Sequence, residues 1–215
     1  MDAPSDRTRV KRRPERGAYD RATIHAILDE ALICHVAYIA DDGSPRVIPT
    51  IHARVGDTLY LHGSAASRTQ RTLRAGADVA VTATIVDGLV LARSATHHSM
   101  NYRSVVAYGR TREVVDPQER ALVASAIVEH VIRGRAEHVR APDATEHRET
   151  TMLALALDEA SAKVRTGPPL DDERDLASPV WAGVLPLTTA PGEPVPDGEP
   201  RPLPDHVVRY RRTPD

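Results

Sequence analysis

The sequence predicts a mainly β protein, a small barrel of six or so antiparallel strands in Greek-key order with flanking helices. Short β-branched, apolar runs recur between residues 32 and 164, and Gly, Asp and Pro turn signals separate them. Only one predicted helix interrupts the strand-rich first half. The chain has 215 residues, of which 41% are hydrophobic, so it is long enough to bury a core.

Composition excludes several classes of protein. The longest uncharged apolar run, residues 31–40, is far shorter than the roughly 20 residues that cross a bilayer, so no membrane contact is expected. The 28 basic and 30 acidic residues nearly balance, and nucleic acid is therefore not an expected partner. A single cysteine, Cys34, allows no intrachain disulfide, which favours a reducing compartment and a cytoplasmic location.

The chain divides into three predicted segments. Residues 1–18 are basic and lack apolar periodicity, which predicts a mobile arm. Residues 19–166 are predicted to form the barrel domain. Residues 167–215 contain 11 of the 17 prolines, which predicts an extended C-terminal segment that docks on the barrel only through the apolar run 180–187.

The first half of the barrel begins with a helix over residues 20–31, for which Asp20 is the N-cap. Strands are predicted at 32–39, 46–55 and 58–62. Because short turns join them, they are expected to form an antiparallel meander. A second helix follows over residues 64–75.

The second half is predicted to contain a strand at 78–86, a hairpin turn at Asp87 and Gly88, and a return strand at 89–93. A longer strand is expected within 102–115. Pro117 starts a helix that ends near Gly134, and closing strands are expected at 152–157 and 162–164. The run from Glu146 to Glu149 is interpreted as an exposed charged stretch without a functional role.

The junction between the third strand and the second helix is a candidate anion site. The strand leads into His62, Gly63 and Ser64, and the helix begins near Ser67 and Arg68. Free backbone N–H groups, hydroxyls and a guanidinium would meet there, and these groups bind phosphate. The alternative is an arginine-rich surface helix without a ligand.

Two segments at this point resemble a known family. The runs RVIPTIHARVGDTLYLHGSAASRTQRTL and LARSATHHSMNYRSVVAYGR are similar, over about residues 15–165, to the pyridoxamine 5'-phosphate oxidase-like flavoproteins. They resemble in particular the flavin-nucleotide-binding branch that includes the nitroimidazole-resistance proteins. The resemblance implies an FMN-binding split barrel, a homodimer with flavin at the subunit interface, and oxidoreductase activity on a small organic substrate. Thr69 stands where the oxidase motif has lysine, so the resemblance does not extend to vitamin B6 oxidation.

The resemblance also implies which residues contact the flavin. The second strand would follow the ring, the strand–helix junction would hold the phosphate, and His62 would lie beside the ribityl chain or the ring edge. No catalytic residue and no metal ligand is assigned. The implied cofactor-binding residues are Arg46, Val47, Ile48, Pro49, Thr50, His62, Gly63, Ser64, Ser67, Arg68, Asn101, Arg103 and Ser104.

Two alternatives remain open at the level of sequence. In one, the same fold binds deazaflavin or haem, and His62 or His98 ligates the haem iron. In the other, the protein is a non-catalytic flavin-binding module whose basic arm binds a partner. The absorption spectrum of the purified protein separates flavin from haem.

Overall fold

The computed structural model describes residues 2–199 and 201–210, and all of its helices and strands lie within these two ranges. None of the helices in these ranges combines the length and the apolar character needed to span a membrane. The helices are α1 (Arg21–Glu30), α2 (Arg68–Arg74), α3 (Pro117–Val131), α4 (Ala144–Glu149) and α5 (Asp205–Val208). The strands are β1 (Gly17–Ala18), β2 (Cys34–Ile39), β3 (Pro45–Thr50), β4 (His52–Val55), β5 (Thr58–Ser64), β6 (Asp78–Leu91), β7 (Ser99–Arg110), β8 (Arg112–Glu113), β9 (Thr150–Ala156), β10 (Glu159–Arg165) and β11 (Gly183–Pro186).

The strands form two antiparallel sheets that do not close into one barrel. The larger sheet has the order β1-β10-β7-β6-β2-β3, with β11 also paired to β6. The smaller sheet has the order β4-β5-β9-β8. The chain passes between the sheets at Ile51 and Thr111, where one strand ends and the next begins. The predicted mainly β split barrel is confirmed.

The main core lies between the two sheets and is closed by α1. The side chain of Asp20 accepts a hydrogen bond from Thr23 N at 2.8 Å, as its predicted N-cap role requires. The apolar face of α1, formed by Ile24, Ile27 and Leu28, is buried in this core. Val, Leu, Ile and Ala make up most of the cluster.

A second apolar cluster lies on the other face of the smaller sheet, beneath α3. Side chains alternate along a strand, so Leu59 and Leu61 of β5 point into the main core, while Tyr60 points to α3. Val123 of α3 and Met152 of β9 complete this second cluster. The same alternation places His62 on the α3 side.

Two of the predicted strand connections are wrong. The expected strand at 46–55 is divided at Ile51 because the chain leaves one sheet for the other there, so the three early strands do not form a meander. Asp87 and Gly88 do not form a hairpin turn: β6 continues through them, with a bulge between Val86 and Gly88. A β-carbon at Gly88 would lie 3.0 Å from Leu185 O of β11, so glycine permits the close pairing of these strands.

Both chain ends contact the barrel. In the N-terminal segment, Arg7 forms ion pairs with Asp78 and Glu159. In the C-terminal segment, β11 pairs with the end of β6, and Asp171 accepts hydrogen bonds from Arg93 N at 2.9 Å and Arg93 Nη1 at 2.8 Å. The mobility predicted for residues 1–18 stays a prediction.

Candidate functional site

A cavity of about 460 Å³, which we call the histidine cavity, lies between the smaller sheet, α3 and α4. The sheet face contributes His62 and its cross-strand neighbour Met152. Most of the remaining wall is apolar, which favours an apolar ligand. The full set of lining residues is His62, Ala124, Ile127, Val139, Arg140, Pro142, Glu146, His147, Thr150 and Met152.

Two imidazoles line the histidine cavity, those of His62 and His147. Nδ1 of each ring is buried and has no hydrogen-bond partner within the described residues. Burial lowers the pKa of His62, because the charged imidazolium is poorly solvated there. A neutral imidazole is a good ligand for transition metals, including haem iron.

The backbone around His147 is fixed by contacts outside the histidine cavity. Arg120 of α3 donates from Nη2 to His147 O at 2.7 Å and to Thr150 O at 2.9 Å. A capping box between Asp143 and Glu146 starts α4. The site is therefore ordered without a ligand.

The rim of the histidine cavity is charged. Arg140 pairs with Glu146 through two hydrogen bonds, of 2.7 Å and 2.6 Å. The Arg140 guanidinium and the Asp143 N–H lower the pKa of Glu146 to about 2, so this carboxylate stays ionised. The rim thus combines one cation and one anion beside an apolar interior.

The contribution of α4 to the wall of the histidine cavity was not predicted from the sequence. The sequence predicts residues 146–149 to be exposed, whereas Glu146 and His147 are half-buried and line the histidine cavity. One part of the site could have been predicted from the sequence. Leu59 and Leu61 alternate with Tyr60 along β5, and this alternation places His62 on the same face as Tyr60, towards α3. Nothing in the local pattern of residues 146–149 places His147 beside it.

A second concave region, which we call the β3 groove, lies between β2, β3 and α2 and has a volume of about 360 Å³. It brings together three of the predicted flavin residues, Arg46, Ile48 and Arg68. In the described part of the chain, the exposed Arg68 guanidinium has neither a hydrogen bond nor an ion pair. Arg71 of α2 also lines the groove, so three guanidinium groups surround it.

The remaining predicted residues of β3 lie on the same sheet edge. Val47 and Pro49 are exposed, and Thr50 is half-buried. The β3 strand is thus exposed along both faces for most of its length.

The strand–helix junction has internal hydrogen bonds of its own. Ser67 N donates to Ser64 O at 2.9 Å, and Ala66 N donates to Ser64 Oγ at 3.3 Å. A β-carbon at Gly63 would lie 2.6 Å from Nε2 of Gln70, so a larger residue here would require the Gln70 side chain to move. The helix begins at Arg68 rather than at residue 64, because Ser64 still pairs with β9.

The three residues predicted from the later strand lie elsewhere within one chain. Asn101, Arg103 and Ser104 are on β7, which is three strands from β3 in the sheet order, a separation of about 14 Å at the usual strand spacing. Arg103 Nη2 donates to Glu30 at 2.8 Å and to Asp87 at 2.7 Å. These carboxylates raise the pKa of Arg103.

The other two β7 residues also have protein partners. The Asn101 side chain accepts a hydrogen bond from Arg165, and Ser104 Oγ donates to Lys163 O at 3.4 Å. One chain therefore does not bring this group to the β3 groove.

A small cluster of potential metal ligands lies outside both sites. His97, Asp172 and Asp175 place ligand atoms within 4.8 Å of one another. Asp172 is exposed, and His97 also contacts Ser94 Oγ at 3.1 Å. His98, the other histidine proposed from the sequence as an iron ligand, is exposed and contacts Ser94 O at 3.0 Å.

Comparison with solved structures finds two proteins that match nearly the whole chain. Flavocytochrome Anf3 from Azotobacter vinelandii is 41% identical, with a TM-score of 0.90 over 98% of this chain and 99% of the other. A FAD and heme binding protein from Mycobacterium smegmatis is 36% identical, with a TM-score of 0.84 over 90% and 96%. A Bacteroides thetaiotaomicron protein named for 5-nitroimidazole antibiotic resistance shares the fold, with 22% identity and a TM-score of 0.58 over 69% of this chain and 86% of the other.

No curated protein sequence matches this one. The family model for pyridoxamine 5'-phosphate oxidase matches residues 20–164, about two thirds of the chain. That range runs from the N-cap of α1 into β10 and includes β2 to β9. Together with the two whole-chain likenesses, it establishes that this chain belongs to the pyridoxamine 5'-phosphate oxidase-like family, as its sequence led us to expect.

Proposed function

We propose that the protein is an electron-transfer flavoprotein that binds a haem in the histidine cavity as well as a flavin at the β3 groove. The two proteins that match over 90% or more of this chain support the pairing of cofactors: one is named a flavocytochrome and the other a FAD and heme binding protein. The sequence left flavin and haem open as alternatives. Here both cofactors are proposed, in two separate sites.

The observation that carries the proposal is that one cavity is lined by two imidazoles, neither of which hydrogen bonds to a group in the described residues. A volume of about 460 Å³ is within the usual range for cofactor sites. His62 is the expected iron ligand, because it projects from a rigid strand and its lowered pKa keeps the ring neutral. The exposed Arg140 guanidinium offers a cation at the rim for the haem carboxylates.

The identity of the flavin is a separate part of the proposal. The family resemblance predicts FMN. The β3 groove is lined by three arginines and by Asp41 and Asp42, and Arg46 pairs with Asp42 at 3.1 Å, so its charge does not select one flavin nucleotide. The Mycobacterium smegmatis protein, however, is named for FAD. We propose FAD, and chromatography with mass analysis of the released cofactor distinguishes it from FMN.

We also propose a homodimer. The β3 edge is exposed along both faces, and the predicted flavin residues of β7 are about 14 Å from it within one chain. A second copy at the β3 edge would supply the missing side of the flavin site. The protein is proposed to act in the cytoplasm, where its buried free thiol, Cys34, stays reduced.

When bound, a flavin exchanges electrons in pairs with a hydride donor, and a haem iron exchanges them singly. The chain's own groups have simpler tasks. His62 and the walls of the histidine cavity bind and orient the haem and exclude water, while Arg68 holds the flavin phosphate. We propose oxidoreductase activity on a small organic molecule, and a reduced nicotinamide is the electron donor used to test it.

The test begins with protein expressed with added riboflavin and a haem precursor. We expect a flavin spectrum together with a sharp Soret band. The His62→Ala variant should lose most of the haem and keep its flavin. His98→Ala is the matched control, since His98 is exposed and hydrogen bonded in a loop away from the histidine cavity.

Three outcomes contradict the proposal in different parts. Wild-type protein that contains flavin but no haem contradicts the haem part of the proposal. Haem that His62→Ala retains with an unchanged absorption spectrum removes the assignment of His62 as a ligand. Absence of turnover with reduced nicotinamide favours the non-catalytic flavin-binding module.

A further inference from the structure

Two imidazoles line the histidine cavity, and only one of them, that of His62, has been given a role as an iron ligand. His62 projects from β5 and His147 from α4, and Nδ1 of both rings is buried without a hydrogen bond in the described residues. Nearly all buried polar atoms in proteins are paired, and an unpaired one costs about 1–3 kcal/mol. Neither ring hydrogen bonds to any group in the described residues, and both line one cavity, so a single ligand could contact both rings.

The position of His147 is set independently of any ligand. Its carbonyl accepts a 2.7 Å hydrogen bond from Arg120, and the same guanidinium contacts Thr150 O three residues later. Arg120 also donates to Val114 O at 3.1 Å, in the segment between β8 and α3. These contacts fix the backbone from which the His147 imidazole projects at the cavity wall.

Met152 is the competing side chain, because its sulfur lines the same cavity and thioethers also ligate haem iron. Its side chain is, however, already packed. Met152 is 4% exposed and belongs to the second apolar cluster with Tyr60 and Val123. Turning its sulfur towards an iron would remove it from that cluster, whereas His147 is only half-buried, at the cavity wall.

We propose that His147 is the second axial ligand, so that the haem iron is held between His62 and His147. The proposal rests on the proposed function, because it requires haem in the histidine cavity. An iron with two imidazole ligands has no free position for dioxygen or carbon monoxide. The haem would therefore pass electrons, and the small-molecule chemistry would take place at the flavin.

The experiment uses the full chain loaded with haem. Absorption and electron paramagnetic resonance spectra of the wild-type protein should show a low-spin iron. His147→Ala should keep its haem through His62, lose the low-spin signal, and bind carbon monoxide. Free imidazole added to this variant should restore the low-spin spectrum, which a general loss of structure would not allow.

Arg148→Ala is the matched control, because Arg148 is exposed on the same helix and hydrogen bonds only to Thr145 Oγ1 among the described residues. It should remain low-spin. His147→Gln keeps the size of the side chain and should behave as His147→Ala does.

The possible failures are distinguishable. Wild-type protein without haem overturns the proposed function itself. Wild-type protein with high-spin haem leaves the proposed function in place and overturns the role of His147. A low-spin His147→Ala protein also overturns that role, and if Met152→Leu is then high-spin, Met152 is the second ligand.

Discussion

The histidine cavity and the β3 groove differ in how much of their wall one chain provides. The histidine cavity is lined by two strands, α3, α4 and the segment between these helices. The β3 groove lies at the edge of a sheet, beside a strand exposed on both faces. Formation of the first site depends on the folding of a single chain, whereas completion of the second is expected to depend on association.

The largest difference between the two sites is expected in a variant that places a charge on the exposed edge strand β3. Val47 is 61% exposed on β3, and a buried unpaired charge in its place should cost about 3–5 kcal/mol at a subunit interface. We expect Val47→Asp to be monomeric by light scattering, to lose flavin and to keep haem. Val115→Asp is the control, since Val115 is 74% exposed outside β3. A dimeric, flavin-loaded Val47→Asp protein would remove β3 from the proposed interface.

The opposite pattern is expected when the histidine cavity is damaged. Arg120→Ala removes three hydrogen bonds to backbone carbonyls. Each such bond from a charged donor is worth about 1.5–3 kcal/mol, and they are not additive, so the free energy of unfolding should fall by about 3 kcal/mol. Urea denaturation measures this, and flavin content should not change. An equal loss in Arg148→Ala would show that α4 as a whole, rather than Arg120, is responsible.

A smaller and local effect is expected at the flavin phosphate. Arg68 lines the β3 groove and has no partner within the described residues, so Arg68→Ala should weaken flavin binding by about 1.5–3 kcal/mol, roughly ten- to a hundredfold in Kd. Titration of flavin-free protein followed by fluorescence gives the value. Arg74→Ala, on the same helix and paired with Glu113 at 3.6 Å, should bind normally. Equal affinities for both variants would place the phosphate elsewhere.

The histidine cavity also predicts a modest pH dependence in protein without haem. Because burial lowers the pKa of His62, the unfolded chain takes up a proton at a higher pH than the folded one. Stability is therefore complete above the unfolded pKa of about 6.5 and decreases as the pH falls through it. Denaturation midpoints at several pH values test this, and His62→Gln should flatten the dependence. A dependence that is unchanged in His62→Gln would assign the effect to other groups.

No reaction at all is expected at Cys34. Burial raises the pKa of its thiol to about 12, and the thiolate is the reactive form. Native protein should resist alkylation at pH 8 and react once it is unfolded in urea. Alkylation of Cys34 in the native protein would contradict this expectation. It would mean that β2 readily separates from the strands beside it.

Sequence periodicity was sufficient to predict a mainly β fold, because strands of the larger sheet such as β2 and β6 alternate between buried and more exposed positions. It did not predict the histidine cavity. The burial of His147 depends on α3, Arg120 and the segment at 139–142, all distant from β5 in sequence. A local pattern cannot report contacts that only tertiary packing creates.

The two strand connections that were predicted wrongly have a related cause. Asp87 and Gly88 have the composition of a tight turn, but β7 and β11 pair with β6 on either side of it and keep the chain extended. The division at Ile51 likewise reflects where the second sheet begins. In both places long-range pairing outweighs local preference.

The pairing of β11 with residues 88–91 of β6 has a practical consequence for shortened forms of the protein. Ending the chain after Arg165 would uncover that stretch of backbone and leave Arg93 without Asp171, whose side chain is only 1% exposed. Bare strand edges recruit foreign strands and lead to aggregation. Truncations intended for crystallisation should therefore keep the residues through Leu187, and purification tags belong beyond that point.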